Sequence, residues 1–260
     1  MTNVLLTVSY DGTDFCGWQR QDSCCQGKPA RTVQGEIEAA LKKMIKVPVR
    51  LHGSGRTDSG VHAAGQAANF ESPLDSVPAE GYVRALNSLL PRDIRILHAC
   101  TVEKGFDARF CATSRVYRYF IQTEKVPLAT ECRYRWYVHR RPDIAVLNGM
   151  CACLHGELDC AAFAAAGDAS SSTRRFIESA FFRWDTDNPD LLVFQIEANA
   201  FLWKMVRSVT GTLIQLEQKG KAAADFAAIL ESRSRCRAGV TAPPSGLFLW
   251  EVKFSGQRRH

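Results

Sequence analysis

Residues 52–65, His-Gly-Ser-Gly-Arg-Thr-Asp-Ser-Gly-Val-His-Ala-Ala-Gly, are the stretch from which the rest of the chain can be read. Four glycines, two histidines, one arginine and one carboxylate fall in fourteen positions. Ser54, Thr57, Asp58, Ser59 and Gly60 all favour turns, so the stretch reads as a loop too polar for a core. Two readings of Arg56 and Asp58 stand side by side. Asp58 is a turn-capping residue with a surface arginine beside it, or the glycines let the backbone approach a ligand on which Arg56 and Asp58 act. The run Val47-Pro-Val-Arg-Leu51 before the loop reads as a short strand, and residues 66–70 after it as another.

Toward the N-terminus, residues 4–10 predict a strand with Leu6, Val8 and Tyr10 on one face, ended by the turn Asp11-Gly12-Thr13. A polar loop around Trp18 and a flexible insertion at 22–31 follow. Thr32 is placed to cap a helix over 33–45, whose stripe is Val33, Ile37, Leu41 and Met44. Beyond the loop come a helix over 78–90, a strand over 94–102 and a polar link over 103–112. This order predicts an α+β layer with helices on one face of a sheet, and a domain boundary between residues 106 and 107.

Residues 113–122 predict a strand with Thr113, Arg115, Tyr117, Tyr119 and Ile121 on one face. That face suits a half-buried sheet, or a platform for a flat, negatively tethered ligand such as a nucleotide. Next come a helix over 142–154 with Ile144, Leu147, Met150, Cys151 and Leu154 inward, a short helix over 159–166, and an exposed loop over 170–173. Strands over 176–184 and 191–198 flank a turn. A helix over 201–216 sets Leu202, Met205, Val206, Val209, Leu213 and Leu216 on one narrow arc, with Arg207 off it. A helix over 222–230 and a strand over 246–254 complete an element order like that of the first half, without a sequence repeat.

The 33 Lys and Arg against 27 Asp and Glu give a net charge of +6, which favours an anionic partner. Arg133, Arg135, Arg140 and Arg141 alternate with Tyr134, Trp136, Tyr137 and His139, a composition suited to phosphate contact and base stacking and equally to a solvated face. Ten cysteines show no C-x-x-C spacing, so no zinc framework is expected. With no signal peptide and no apolar run of membrane length, the expectation is a cytoplasmic protein with reduced, mostly buried thiols and no membrane role. Gly53 and Gly55 begin a G-x-G, but Asp58 stands three positions on and no G-K-[ST] occurs, so both phosphate-loop patterns fail. A metal site on His52, His62 and Asp58 lacks helical pairing and a clear third ligand. A non-catalytic RNA-binding module would need no carboxylate in the glycine loop.

Six stretches in order, Tyr10-Asp-Gly-Thr-Asp-Phe-Cys-Gly-Trp-Gln-Arg-Gln21, Arg31-Thr-Val-Gln-Gly35, Gly53-Ser-Gly-Arg-Thr-Asp-Ser-Gly-Val-His-Ala63, Arg115-Val-Tyr-Arg-Tyr119, Asn199-Ala-Phe-Leu-Trp-Lys-Met-Val-Arg207 and Ala242-Pro-Pro-Ser-Gly-Leu247, resemble the bacterial tRNA pseudouridine synthase A family. They span nearly the whole chain. The resemblance implies two similar ferredoxin-like α+β halves, 1–106 and 107–260, sharing a mixed, largely antiparallel sheet with helices on one face and a basic catalytic cleft. It implies Asp58 as nucleophile, Arg56 helping to flip the target uridine, Tyr117 stacking on uracil, Arg207 pairing with Asp58, and Leu247 packing against the base. Arg115 and Tyr119 are the further substrate contacts expected on the Tyr117 face. Also implied are a homodimer gripping tRNA at the anticodon stem-loop (positions 38–40), and no cofactor or metal. The chain departs from the family at the insertion over 22–30 and at Trp203-Lys204, where members often carry histidine or tyrosine.

Chemistry accounts for these residue types. The reaction breaks the N1 glycosidic bond, turns the base and rejoins it through C5, with no redox change. It needs an ionised carboxylate, and a guanidinium beside it opposes the rise in pKa that burial would cause. The base must first leave its stack, at a cost of a few kcal/mol that an aromatic partner and arginine contacts offset.

Overall fold

The structure is a computed structural model, which describes residues 1–21, 30–123, 125–257 and 259. The insertion expected over 22–30 therefore lies, but for Ala30, outside the described residues. The chain divides into two compact units, Met1–Ala112 with Phe248–Ser255, and Thr113–Leu247 with Gly256–His260.

The first unit runs β1 (Thr2–Tyr10), α1 (Val33–Ile45), β2 (His52–Gly53), β3 (His62–Ser72), α2 (Ala79–Leu89) and β4 (Ile94–Val102). β1 lies between β3 and β4, antiparallel to both. Its alternation works as expected: Val4, Leu6, Val8 and Tyr10 are buried. α1 starts where Thr32, extended at φ −131° and ψ 150°, accepts a bond from the Gly35 N–H through its side chain. Val33, Ile37, Leu41 and Ile45 supply its buried stripe, with Ile45 in the place expected of Met44. α2 packs on β4 through a face that includes buried Tyr82 and Leu86.

The strand expected over 47–51 does not form. Leu51 gives its N–H to Glu38 Oε1 (3.1 Å), and its carbonyl accepts from Gln34 Nε2 (3.1 Å), so α1 side chains make the bonds a ladder would have made. Pro48 has no N–H to offer a neighbouring strand. β3 in turn begins at His62, four residues before the expected start, because Ala63 already pairs with Tyr10. The division between units falls after Ala112, since Asn3 and Asn69 bind the link to the first unit. Both amides donate to the Phe106 carbonyl (2.9 Å each), and the Ala108 N–H donates to Asn69 Oδ1 (2.8 Å).

The second unit runs β5 (Ser114–Thr123), β6 (Trp136–Val138), α3 (Ile144–Cys151), β7 (Gly156–Asp159), β8 (Arg174–Trp184), β9 (Leu191–Ala198), α4 (Met205–Gln218) and α5 (Ala223–Ser232). Its strands lie in the order β5-β9-β8-β7, all antiparallel, with β6 parallel on β5. Both units are thus α+β with largely antiparallel pairing. The helix expected over 159–166 is instead β7 followed by one 3-10 turn, Ala161–Phe163. There Asp159 Oδ1 accepts from the Ala161 N–H (3.1 Å) and the Thr173 hydroxyl (2.7 Å), drawing the backbone out of a helical path.

α4 begins four residues later than its apolar pattern predicts, because Lys204 is left-handed at φ 59° and cannot lie inside a right-handed helix. The helix is also buried over more than the narrow arc expected. Ser208, Thr210 and Thr212 are fully buried, and the two threonine hydroxyls bond back to the Val206 and Ser208 carbonyls. Gly211 allows the 240–242 backbone to cross the helix, since a Cβ there would lie 1.9 Å from the Val240 carbonyl oxygen.

The last strand, β10 (Leu247–Lys253), returns to the first unit, where Phe248 and Leu249 pair parallel with His62 and Ala63 and make that sheet mixed. No described helix is long and apolar enough to cross a membrane. Of the described cysteines only Cys151 and Cys160 are buried, and burial pushes both thiols up to about 12. Cys16 and Cys132 are exposed on turns and bends and Cys236 on a 3-10 turn, so the described thiols are not mostly buried as expected.

Candidate active site

The loop between β2 and β3 is held by bonds that run inward. The Ser54 N–H donates to the Ala67 carbonyl (2.8 Å), and its hydroxyl to Gln66 Oε1 (2.6 Å); Gln66 Nε2 returns a bond to the Gly55 carbonyl (2.9 Å). Thr57 shares a buried hydroxyl pair with Tyr10 (2.8 Å), and its carbonyl accepts from the Trp18 N–H (3.1 Å). The Ser59 hydroxyl donates to the Phe15 carbonyl (3.0 Å), and the Asp58 carbonyl accepts from the Val61 N–H (3.1 Å) at a turn where Gly60 takes φ 77°. His62 has no exposed surface. Its Nδ1 lies 3.0 Å from the Gly12 N–H nitrogen and 3.2 Å from Asp11 Oδ1, and its ring stacks on Phe248 at 4.6 Å.

The loop is therefore not wholly outside the core, as its polarity suggested. Ser54, Thr57 and His62 are buried because each has a partner that offsets its desolvation. The residues that brace them were read only as core or loop. Gly12 admits the Val61 backbone, whose carbonyl oxygen would be 2.0 Å from a Cβ, and Gly53 lies against the Trp18 indole. Tyr10 offered one signal in advance: a buried tyrosine hydroxyl needs a partner. Within this frame Asp58 is half-buried, and Arg56 is exposed with no hydrogen bond or ion pair to another described residue.

Of the residues expected in the second unit, Arg207, Tyr119 and Leu247 meet at the segment 242–247. Arg207, in the first turn of α4, donates from Nε to the Ala242 carbonyl (2.8 Å), while the Ala242 N–H donates to the Arg207 carbonyl (3.1 Å). The Tyr119 hydroxyl donates to the Pro243 carbonyl (2.6 Å), and the Leu247 N–H to the Pro244 carbonyl (2.9 Å). Burial pushes the Tyr119 hydroxyl well above the usual tyrosine range, with the Arg207 charge pulling the other way. Tyr119 is fully buried and Leu247 nearly so. Tyr117, two residues before Tyr119 on the same face of β5, meets Phe201 edge-on at 5.0 Å. Arg115 donates to the Asn199 carbonyl (2.7 Å) and so ties that face to the approach to α4.

Much of the arginine and aromatic segment is bound internally. Arg135 pairs with Glu131 and Gln122, Arg140 with Glu217 (2.7 Å), and Arg141 lies over the Trp184 ring at 3.7 Å. Among the described residues no three metal-binding side chains come together, and the buried His62 is already engaged.

The family model described as tRNA pseudouridine synthase matches residues 6–111 and again 150–255, so the same model covers part of each unit. A tRNA pseudouridine synthase A of Treponema denticola is 54% identical over 253 residues, covering 97% of this chain and 92% of its own. That of Treponema pallidum is 48% identical over 89% of this chain and 81% of its own, and that of Caldicellulosiruptor saccharolyticus 38% identical over 98% and 100%. Matched by the family model over residues 6–111 and 150–255 and by these relatives nearly end to end, the chain belongs to the tRNA pseudouridine synthase family, isomerases of uridine in tRNA.

Proposed function

We propose that this chain converts uridine to pseudouridine in the anticodon stem-loop of tRNA, with Asp58 as the attacking carboxylate and without a cofactor. The observation that carries the reading is the way Asp58 is presented. The side chains of Ser54, Thr57, Ser59 and His62 are bonded inward, while Asp58 stays half-buried beside an exposed Arg56. In the reaction the N1–C1′ bond breaks, the base turns, a C5–C1′ bond forms, the C5 proton passes to solvent, and N1 takes up a proton in its place. A carboxylate held in fixed geometry is what a covalent route through the ribose or the base requires.

Arg56 takes the place vacated by the flipped uridine, Tyr117 stacks on the uracil, Arg207 is counter-ion to Asp58, and Leu247 packs against the base. Burial gives Tyr119 a bracing role beneath Tyr117, and Arg115 braces the same face through Asn199. The protein acts as a homodimer in which both subunits hold one tRNA. Release of tritium from C5-labelled uridine in tRNA tests the activity. Mapping pseudouridines in tRNA from cells that lack the protein tests the position: loss confined to the anticodon stem-loop is expected, and an unchanged map would overturn the assignment.

A further inference from the structure

Trp203 and Lys204 stand just before α4, four and three residues ahead of Arg207. Trp203 is 46% exposed and so presents a large aromatic surface to solvent. Its backbone is nevertheless fixed at both ends. The N–H donates to the Asp168 carboxylate, and the carbonyl accepts from the Ala165 N–H (3.0 Å). One edge of the indole lies against Gly167, whose φ of 85° turns the 164–168 segment beneath it; an ideal Cβ on Gly167 would be 3.8 Å from the ring. Lys204 adopts the left-handed conformation, uncommon and mildly costly for a residue with a Cβ. In that conformation its ammonium lies over the indole, 4.6 Å from the ring centre. The result is an exposed flat ring on a fixed backbone, with a cation at its face.

We propose that Trp203 and Lys204 form a subsite for an unstacked nucleotide of the tRNA other than the target uridine, with the base stacked on the indole and its phosphate paired with the Lys204 ammonium. The subsite rests on the reading of the chain as a tRNA-modifying enzyme. A tryptophan face and a point cation are the complementary pair for a nucleotide, since stacking tolerates any base while the charge selects the backbone. The exposed residues at 170–172, joined to the Trp203 backbone through Asp168, are serines and offer a protein partner little apolar area.

The test measures tRNA binding and pseudouridine formation by Trp203→Ala, Trp203→Phe and Lys204→Gln in the full-length protein. Trp203→Ala is expected to weaken tRNA binding by about tenfold or more. It should raise KM with kcat nearly unchanged and reduce the quenching of tryptophan fluorescence on tRNA binding; Trp203→Phe should recover most of the affinity. Lys204→Gln should lower the salt dependence of binding by about one phosphate contact. Trp203→Ala binding tRNA within twofold of the wild type would overturn the subsite. A change in oligomeric state of Trp203→Ala without tRNA would overturn it too, by assigning the ring to a protein contact. A wild-type protein that forms no pseudouridine defeats the functional reading instead, and binding by the three variants still decides the subsite.

Discussion

The loop at 52–61 and the segment at 133–141 look alike in sequence, since each crowds polar and charged side chains into a short length. In the structure they use them in opposite ways. In the loop, neutral polar groups turn inward and bond to Gln66, Tyr10 and Phe15, with Arg56 exposed and Asp58 half-buried. In the arginine segment the charges themselves are engaged: Arg140 closes on Glu217, which is 5% exposed, and Arg141 covers Trp184. Charge density is therefore a poor guide to a binding surface. What distinguishes the loop is that its neutral residues supply the structural bonds.

Three experiments test that contrast, and a fourth tests the side-chain bonding of β7. The largest expected effect is that of Asp58→Ala, which should reduce C5 tritium release by more than about a thousandfold while tRNA binding and thermal stability stay near wild type. Undiminished release would end the assignment of Asp58. Next, Arg56→Gln should lower kcat/KM by about a hundredfold and change unfolding free energy by less than about 0.5 kcal/mol. A clear loss of stability would mean that Arg56 belongs to the frame. Arg140→Met should do the reverse, costing about 2 kcal/mol by urea titration because Glu217 loses its cation yet keeps the Asp143 N–H, with tRNA affinity almost unaffected.

The smallest effect concerns acid. Asp159 is held below its ordinary carboxyl pKa of 3.8, first by the Thr173 hydroxyl, then by the Ala161 N–H, Arg233 and Arg174, against the opposing effect of burial. The stability this gives is present above the unfolded value and is lost as pH falls through the lower folded one. Thr173→Val should thus differ from the wild type at neutral pH and converge with it in urea titrations carried below pH 3.8. Parallel curves across that range would remove Asp159 as the source.

Where bonding is local, the sequence was informative. α1 could be placed because Thr32 lies three residues before the N–H it accepts from, and the closing strand because Leu247 and Leu249 are buried at alternate positions. Leu51 misled, since its partners Glu38 and Gln34 lie more than a turn away on a helix and cannot be identified from a run of valines. β6 was missed for a related reason: three residues form it, and its pairing with Ile121, Gln122 and Thr123 is known only once β5 is in place. At the site, Arg56 and Asp58 were legible as residue types. The Tyr10 hydroxyl against Thr57 was not, because it joins positions 47 residues apart.

The return of β10 to the first unit has a consequence for how the molecule is made. His62 anchors the end of the Asp58 loop, and the ring stacked on it, Phe248, belongs to β10, which follows every element of the second unit in the chain. During translation the N-terminal sheet can assemble through β1, β2, β3 and β4, yet the His62–Ala63 end of β3 stays open on its second side until β10 has emerged. Closing so long a loop is slow and entropically costly, so it comes late in folding. The frame around Asp58 is therefore completed only when β10, the strand that also carries Leu247, has been made.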